Sequence, residues 1–307
     1  MTSSLAKRAS GWLRTERQRE ALAGYLFILP TFLGYTAFVI GPILAAIGFS
    51  LTSYDILSPA QWVGLQNYQE LWGDARLHKV YLNTLYFTVV AVSLNVGIGL
   101  FLAVLINRNM PGWLKYIFRT AYFFPVLVAL AYCSIIWQYL YQKDTGILNY
   151  YLAHYFQVEA IPWLSSPTYV MPSIIVMDVW KNTGFAMLVF LAGLQNIPQD
   201  YYEAAELDGA TPWNLFRYIT LPLISPTLFF NLIIYMIGAL QVFDSIVVLT
   251  QGGPGDTSRS LVMYIYEHAF QLFHLGYASA IAITLFIVIM LLTLVQFRVG
   301  GSWVHYE

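Results

Sequence analysis

The sequence contains six apolar stretches, each about as long as a helix that crosses a lipid bilayer. They lie near residues 25–50, 81–106, 117–140, 170–195, 221–249 and 277–297. About 20 apolar residues in a helix cover a hydrocarbon layer of roughly 30 Å. A backbone in lipid must form its own hydrogen bonds, and the stretches lack the apolar–polar alternation of a barrel strand. The pattern therefore predicts an all-α integral membrane protein with six transmembrane helices.

The composition agrees with this fold class and excludes several kinds of function. Hydrophobic residues make up 58% of the chain and charged residues 10%, against about 25% charged residues in a soluble domain. The net charge of −1 gives no basic field for nucleic acid. The single cysteine, Cys133, lies in an apolar stretch. We therefore expect it to fill the core or face lipid, with no disulfide or metal cluster.

Lys and Arg residues flank the predicted membrane domain, residues 25–297, unequally on its two sides. Ten lie on the side of the two termini and four on the opposite side. Because positive charge is retained on the cytoplasmic side, we expect cytoplasmic tails at residues 1–24 and 298–307. Residues 10–20 form either an amphipathic helix on the inner leaflet or a solvated tail. The first apolar stretch is too long for a signal-peptide core of about 7–15 residues, so it is expected to be a retained span.

A polar segment, residues 198–222, separates the fourth and fifth stretches on the predicted cytoplasmic side. Its first part, residues 199–207, favours a helix that Pro198 begins as the first helical residue. Gly209 suits the left-handed turn that ends a helix. A short helix followed by a tight turn is therefore expected here.

The rest of this segment carries signals for a second helix. Thr211 can cap a helix that Pro212 begins, and we expect this helix to end at Pro222, where the next span starts. Capping rules alone allow either an ordinary connecting loop or an elbow of two helices that presents charge to a partner.

The spacing within the segment resembles the EAA motif of permease subunits in ATP-binding-cassette (ABC) importers. It reads Glu203-Ala204-Ala205, three residues, Gly209, nine residues, Ile219, one residue, Leu221-Pro222. Other stretches resemble the carbohydrate-uptake branch, with its maltose-type and glycerol-3-phosphate-type permeases. They are GYLFILPTFLGYTAFVIGPI (24–43), VGLQNYQELW (63–72), YLNTLYFT (81–88) and VLTQGGPGDTSRSLVMYIYEHAF (248–270).

This resemblance implies a type I ABC importer permease fold in the inner membrane of a bacterial or archaeal cell. In such importers the EAA segment is a coupling helix that contacts a separate ATPase subunit. Glu203 would then supply the polar contact and Gly209 the required turn. The residues that would complete the contact surface are Ala204, Ala205 and Asp208.

The resemblance also implies a set of partners. These are a second homologous permease subunit, two ATPase subunits, an extracytoplasmic solute-binding protein and the lipid bilayer. The sequence contains no GxxxxGK[ST] phosphate-binding loop, so we expect this chain to be a transport subunit and not an enzyme. ATP and Mg²⁺ are expected on the ATPase subunits, and no cofactor is expected on this chain.

Ionisable side chains inside the predicted spans mark a candidate solute pathway, because a charge in lipid is unfavourable unless it has a role. Asp178, Lys181, Asn182 and Phe185 follow one helical face. This face combines an acceptor, a cation, an amide and an aromatic ring, which suits a sugar. The alternative is an Asp178–Lys181 ion pair that only ties helices together.

The fifth stretch adds three further candidates for the pathway. Gln241 and Asp244 share one helical face three residues apart, at a depth similar to that of Asp178. We expect them to face the same cavity, although they can equally bond to a neighbouring span. Tyr235 is a further candidate, with packing as its alternative role.

Several functions remain open from the sequence. The expected cargo is a sugar or an oligosaccharide, and glycerol-3-phosphate or another polar solute is the alternative. An ion-coupled transporter, or a membrane-embedded enzyme that uses Asp178 and Asp244 as acid and base, is a further alternative. His154, His268 and His274 lack metal-ligand spacing, so we expect no metal site and predict solvated surface histidines.

Overall fold

The computed structural model describes residues 2–55, 58–108 and 110–304, with side chains from residue 16 onward. Within these ranges the chain is helical, apart from loops and one two-stranded antiparallel sheet, β1 (Thr52–Ser53) and β2 (Gln61–Trp62). The helices before the first long loop are α1 (Thr2–Tyr35), α2 (Gly41–Ser50), α3 (Gln66–Gly73), α4 (Ala75–Asn107), α5 (Gly112–Leu127), α6 (Leu130–Leu140) and α7 (Ile147–Phe156). The remaining helices are α8 (Val170–Gln195), α9 (Gln199–Leu207), α10 (Pro212–Leu215), α11 (Leu221–Leu223), α12 (Ser225–Leu240), α13 (Asp244–Thr250), α14 (Leu261–Tyr266) and α15 (Leu275–Gly300).

The described chain contains three π-helical segments, of which the first two each join two helices without a break and the third extends α14 up to the non-helical residues 272–274. They are Thr36–Ile40, Phe216–Thr220 and Glu267–Gln271. The first of them joins α1 and α2, so residues 10–20 continue directly into the first apolar stretch. Residues 10–20 are therefore helical, and the position of this helix on the inner leaflet or in solvent stays a prediction.

Four helical stretches are long and apolar enough to cross a membrane without interruption: Glu16–Ser50, Ala75–Asn107, Val170–Gln195 and Leu275–Gly300. Two bent helix pairs, Gly112–Leu127 with Leu130–Leu140 and Pro212–Leu223 with Ser225–Leu240, pass the same test together. The described residues thus give four candidate spans, or six if each bent pair forms one span.

Helices α4 and α8 form the centre of the bundle. The Asp74 carboxylate caps α4 by accepting a hydrogen bond from the Leu77 amide at 3.0 Å. A Cβ atom at Gly99 would lie only 2.6 Å from the Ala186 Cβ atom. The two helices therefore approach each other closely. Apolar side chains from both, Phe190 of α8 among them, form a buried cluster with Ile224.

The third apolar stretch is not the single helix that we predicted over residues 117–140. It consists of α5 and α6, whose axes meet at 99°. Pro125 lies in the last turn of α5, where it removes one backbone donor. Val128 and Ala129 then take extended conformations. Cys133, in α6, is buried, so of its two expected positions it takes the core.

The fifth stretch, predicted as one helix over residues 221–249, is broken twice. The segment Pro212–Leu223 meets α12 at 65°. Pro226 has no amide hydrogen to donate to the Pro222 carbonyl, and the Ser225 hydroxyl donates to that carbonyl instead, at 2.6 Å. The expected helix end at Pro222 is thus displaced to Leu223. The second break separates α12 from α13 at residues 241–243.

Candidate functional site

A cavity of about 410 Å³ lies among α4, α5, α6, α8, α12 and α13. Most of its wall is apolar, and its polar groups come from four helices and the break that follows α12. Six of the seven residues predicted for the pathway line it: Asp178, Asn182, Phe185, Tyr235, Gln241 and Asp244. The fold therefore brings together side chains that lie more than fifty residues apart in the sequence.

The Asp178 carboxylate is held in the cavity by two side-chain amides. The Asn182 amide group, one turn along α8, donates to one carboxylate oxygen at 2.8 Å. The Asn95 amide group, from α4, donates to the other oxygen at 3.0 Å. Because each carboxylate oxygen has two lone pairs, acceptor capacity remains for a solute.

Asn95 belongs to the site, although the sequence reasoning did not include it. Its amide group also donates to the Ala91 carbonyl at 3.0 Å, and its carbonyl oxygen accepts from the Thr183 hydroxyl at 3.1 Å. The sequence did contain a signal, since a polar amide inside a long apolar helix requires a partner.

Lys181 is the one predicted pathway residue that does not line the cavity. Its side chain is buried, and its ammonium group donates to the Val126 carbonyl at 3.2 Å. This carbonyl lies at the C-terminal end of α5, where a helix leaves backbone acceptors unpaired. Among the residues that the structure describes, Asp178 and Lys181 form no ion pair, so the alternative of an ion pair between them is wrong.

Gly184 allows α8 to lie directly against α5. A Cβ atom at this position would lie 2.0 Å from the Tyr122 carbonyl oxygen, a separation that real side chains do not reach. The close contact brings Lys181 to the end of α5. No specific role could be predicted for Gly184 from the sequence, because glycine is common in membrane helices.

The Tyr235 hydroxyl connects α12 to α8 through backbone groups. It donates to the Asn182 carbonyl at 2.6 Å and accepts from the Ala186 amide at 3.1 Å. Tyr235 is therefore bound to the cavity helix by its polar end, and its role is more specific than packing alone.

Gln241 and Asp244 lie on either side of the break between α12 and α13. The two residues reach the cavity because the helix stops between them, so the predicted shared helical face is wrong. Both are exposed. Asp244 forms no hydrogen bond or ion pair within the described ranges, which leaves its carboxylate available to a solute.

A second candidate site is the elbow of α9 and α10. Pro198 is the N-cap of α9 rather than its first helical residue, so the helix begins one residue later than predicted, at Gln199. Gly209 has a φ angle of +80°, as expected for a left-handed helix end. The Gly209 amide donates to the Glu206 carbonyl at 3.0 Å, and the Ala210 amide to the Ala205 carbonyl at 2.9 Å. This is the Schellman pattern of helix termination.

The second helix of the elbow begins as predicted. Thr211 is its N-cap and accepts from the Asn214 amide at 3.3 Å, and Pro212 is the first helical residue. The elbow is joined to the bundle by a hydrogen bond of 3.0 Å between the Tyr202 and Thr220 hydroxyls.

The surface of the elbow is open. Glu203, Ala204, Asp208 and Gly209 are exposed, and Ala205 is partly buried. Leu207, which the sequence reasoning did not single out, is 90% exposed. A large apolar side chain that is almost fully exposed beside carboxylates is typical of a surface that another protein covers.

At the start of α4, charged side chains join three separate segments of the chain. Arg76 pairs with Asp256 and with Glu267, both at 2.7 Å, and Arg259 pairs with the same two carboxylates. The hydrogen bond from Arg76 lowers the pKa of Asp256 to about 2 against the opposing effect of burial, and Arg259 adds to the lowering. This ion-pair cluster fixes the loop before α14 to the start of α4.

His268, beside this cluster, is not the solvated surface histidine that we predicted. It is partly buried and packs against the rings of Tyr264 and Tyr277 at centroid distances of 4.5 and 4.9 Å. Burial lowers its pKa below the usual value. It therefore belongs to the packing of α14 against α15.

The chain is similar to known transport proteins in sequence and in structure. Residues 95–300 match the profile of a family described as binding-protein-dependent transport system inner membrane component. The trehalose/maltose transport system permease protein MalF of Thermococcus litoralis is 36% identical over 285 residues, which cover 92% of this chain and 95% of that protein.

Two solved structures share the fold. A bacterial ABC transporter involved in the import of the acidic polysaccharide alginate superposes with a TM-score of 0.84 and 25% identity, covering 94% of this chain and 98% of that one. A bacterial alginate ABC transporter in complex with an alginate pentasaccharide-bound periplasmic protein gives a TM-score of 0.82 at 24% identity, with 92% and 94% covered. The matched profile begins at Asn95 within α4 and covers the other cavity helices, the elbow and the last span, and the chain therefore belongs to the family of binding-protein-dependent transport system inner membrane components.

Proposed function

We propose that this chain is a permease subunit of an ATP-driven importer and forms half of the pathway for a sugar or an oligosaccharide. The observation that carries the proposal is the cavity, in which Asp178 is held by Asn95 and Asn182. A carboxylate supported by amides offers acceptors and donors at fixed positions, and hydroxyl groups of a sugar use both. Family membership favours this transport role over a membrane-embedded enzyme.

Aromatic rings complete the proposed sugar site. Phe87, Phe185 and Phe243 line the same cavity as the polar groups. A sugar ring has an apolar C–H face and a polar rim, and pockets for such ligands combine apolar walls with a few placed polar groups. Gln241 and Asp244 add polar groups to the opposite wall.

The residues that the sequence assigned to the pathway retain that role in the proposal, with one change of function. Asp178, Asn182, Phe185, Tyr235, Gln241 and Asp244 contact or surround the solute. Lys181 supports the cavity by holding α8 to the end of α5. Asn95 joins the set through its hydrogen bond to Asp178.

The other half of the pathway and the energy for transport come from partner subunits. We expect a second homologous permease, two ATPase subunits that bind ATP and Mg²⁺, and a solute-binding protein on the outer face. The trehalose/maltose permease relative and the alginate complex with its periplasmic protein support this arrangement. The cargo of those proteins supports the carbohydrate class alone.

The elbow is the proposed contact with the ATPase. Glu203, Ala204 and Ala205 lie on α9, and Asp208 with Gly209 forms the turn that ends it. Because α10 leads through α11 into α12, a displacement of the elbow reaches the cavity along a continuous path. Closure of the ATPase dimer would then switch the bundle between outward-open and inward-open arrangements.

This proposal also sets the orientation in the membrane. The elbow, the tail at residues 1–24 and the tail at residues 298–307 lie in the cytoplasm, and the membrane domain covers residues 25–297. The excess of Lys and Arg on that side supports the assignment. Six spans result if each bent helix pair crosses the membrane once.

Transport by a reconstituted complex tests the pathway. Asp178→Ala and Gln241→Ala should lower the uptake stimulated by the loaded binding protein at least about tenfold, by loss of hydrogen bonds to the solute, while the ATPase remains bound. Gln69→Ala, at an exposed position on α3, is the matched control. Wild-type uptake by both cavity variants would place the pathway elsewhere, and uptake without ATP would indicate an ion-coupled transporter.

Co-purification with the ATPase tests the elbow. Glu203→Lys should release the ATPase from the complex, because it reverses a charge at the proposed contact. Glu70→Lys makes the same charge change on α3, also at an exposed position, and should leave the complex intact. Equal retention of the ATPase by both variants would contradict the assigned role of the elbow.

A further inference from the structure

We infer that the wall of the cavity formed by this chain repels anionic solutes, and that the cargo is an uncharged sugar. The assignment of the cargo as a sugar rests on the proposed function. The repulsion of anions rests on the charges in the structure alone.

The charges that line the cavity are all negative among the residues that the structure describes. Asp178 and Asp244 contribute carboxylates, while the other polar lining groups are uncharged amides and one hydroxyl. No Lys, Arg or His side chain lines it within the described ranges. Phosphate, sulfonate and carboxylate groups are usually bound by Arg or Lys through charge-assisted hydrogen bonds, and this wall has none to offer.

The one cation on this part of α8 does not itself line the cavity. The Lys181 ammonium group donates to the Val126 carbonyl, and its side chain is buried with 7% exposure. Gly184 fixes this arrangement, because it brings the end of α5 against α8. The Lys181 charge acts on Asp178 and offsets part of its charge, but one ammonium group against two carboxylates leaves the cavity with a net negative charge.

The polar groups of the cavity fit an uncharged solute with many hydroxyl groups. The two oxygens of Asp178 each receive one amide hydrogen bond and retain a lone pair for a sugar hydroxyl. Asp244 has no partner within the described ranges and is exposed to the cavity. Charge effects in such a site are strong, since a cleft with low-dielectric walls focuses the field of its charges.

The inference separates this chain from one of its structural neighbours. The alginate transporter is involved in the import of an acidic polysaccharide, whereas the charges here disfavour an acidic cargo. It also disfavours the glycerol-3-phosphate alternative, because that solute carries a phosphate group. Proteins that share this fold and family can therefore differ in the charge of their cargo, because that charge depends on the side chains that line the cavity.

Reaction rates of a cysteine placed in the cavity test the inference without knowledge of the cargo. Cys133 is the only cysteine in the chain, so Cys133→Ala gives a cysteine-free background. Gln241→Cys then provides a thiol in the cavity, and Thr145→Cys provides one at an exposed position directly after Lys143 and Asp144. The assembled complex, with its own cysteines replaced, is treated with a cationic trimethylammonium-ethyl thiosulfonate and with an anionic sulfonato-ethyl thiosulfonate.

The measured quantity is the ratio of the cationic to the anionic reaction rate at residue 241, divided by the same ratio at residue 145. We expect a value of about ten or more, within the range of field effects on encounter rates. Asp244→Asn should lower it at least about threefold by removing one negative charge. Asp178→Asn should do the same. Asp244 makes no hydrogen bond in the described chain, so its variant remains informative if the Asp178 variant fails to assemble.

Three results of the labelling experiment would overturn the inference. They are a normalised ratio near one, a ratio that Asp244→Asn leaves unchanged, and the absence of reaction with either reagent both with and without ATP. An importer complex that takes up an anionic sugar and not an uncharged one would also overturn it. Uptake of an uncharged solute of another class, with the high ratio retained, would instead reject the sugar assignment and leave the acidic cavity in place.

Discussion

The Tyr235 hydroxyl donates a hydrogen bond to the Asn182 carbonyl at 2.6 Å, which joins α12 to the middle of α8. The same hydroxyl accepts from the Ala186 amide at 3.1 Å. In a regular helix these two backbone groups are partners at i and i−4. The hydroxyl therefore contacts both backbone groups that form one helical hydrogen bond of α8. Asn182 carries the amide that holds Asp178, so α12 is linked directly to the polar centre of the cavity.

Tyr235→Phe should reduce transport with little effect on stability. The ring still fills its place, and the lost hydrogen bonds contribute about 1 kcal/mol each. Without the hydroxyl, Asn182 is no longer positioned by α12. We expect the initial uptake rate in proteoliposomes to fall several-fold while the amount of assembled complex stays constant. Tyr218→Phe, at an exposed position next to the elbow, is the control, and equal rates for the two variants would contradict this role.

Gly184→Ala should destabilise the bundle, because the added methyl group overlaps the Tyr122 carbonyl oxygen. Overpacking of a buried contact costs about 1–3 kcal/mol, and here the contacting atom is backbone, which cannot rotate away. The expected result is a lower Tm of the purified complex and a weaker Lys181 contact with the end of α5. Gly97→Ala adds the same methyl group in α4, where no atom lies within 4 Å, and should leave Tm unchanged. A Tm equal to that of Gly97→Ala would show that α8 can move away at no cost.

The helical fold and much of the cavity could be predicted because they depend on local signals. Apolar length located the helices, and intramembrane polar residues located the cavity, because lipid forces such groups to find partners inside the protein. Helix-capping rules placed Gly209 and Thr211 correctly, because a cap depends only on residues at the end of the helix. Each of these signals is carried by neighbouring residues.

The features that could not be predicted depend on contacts between distant segments. The 99° bend after Pro125 and the break before Asp244 are tolerated only where other helices cover the opened backbone. Lys181 has Asp178 as its obvious partner in sequence, yet its ammonium group lies on a carbonyl of α5. That carbonyl becomes available only because α5 ends there, which no periodicity in α8 can reveal.

Asp256→Asn should remove a stabilising effect that depends on pH in a defined direction. The pKa of Asp256 is lowered from 3.8 to about 2 in the folded protein. A carboxyl group with a lowered pKa stabilises fully above its unfolded pKa, and this contribution is lost as pH falls toward the folded value. Asn also tolerates the positive φ angle of 62° at this position, so the substitution tests charge rather than backbone strain.

The measurement is the difference in Tm between wild type and Asp256→Asn as pH is varied. The difference should be constant from about pH 5 to pH 8 and should shrink below about pH 4, where the carboxyl group of the unfolded chain becomes protonated. Asp200→Asn, at an exposed carboxylate on α9, should show no comparable difference. A difference that grows as pH falls would contradict the assigned ion-pair cluster.

Leu207→Ser should weaken binding of the ATPase without destabilising the permease. The side chain is 90% exposed at the end of α9, so its removal costs the isolated chain little free energy of unfolding. Buried in a cleft of a partner, a leucine side chain contributes about 1.5–3 kcal/mol through the hydrophobic effect, which corresponds to a loss of affinity of about tenfold or more. Leu65→Ser replaces another exposed leucine, which precedes α3, and should leave ATPase affinity unchanged. Titration of the ATPase onto permease in lipid nanodiscs measures both variants, and equal affinities would show that the elbow contacts its partner through charge alone.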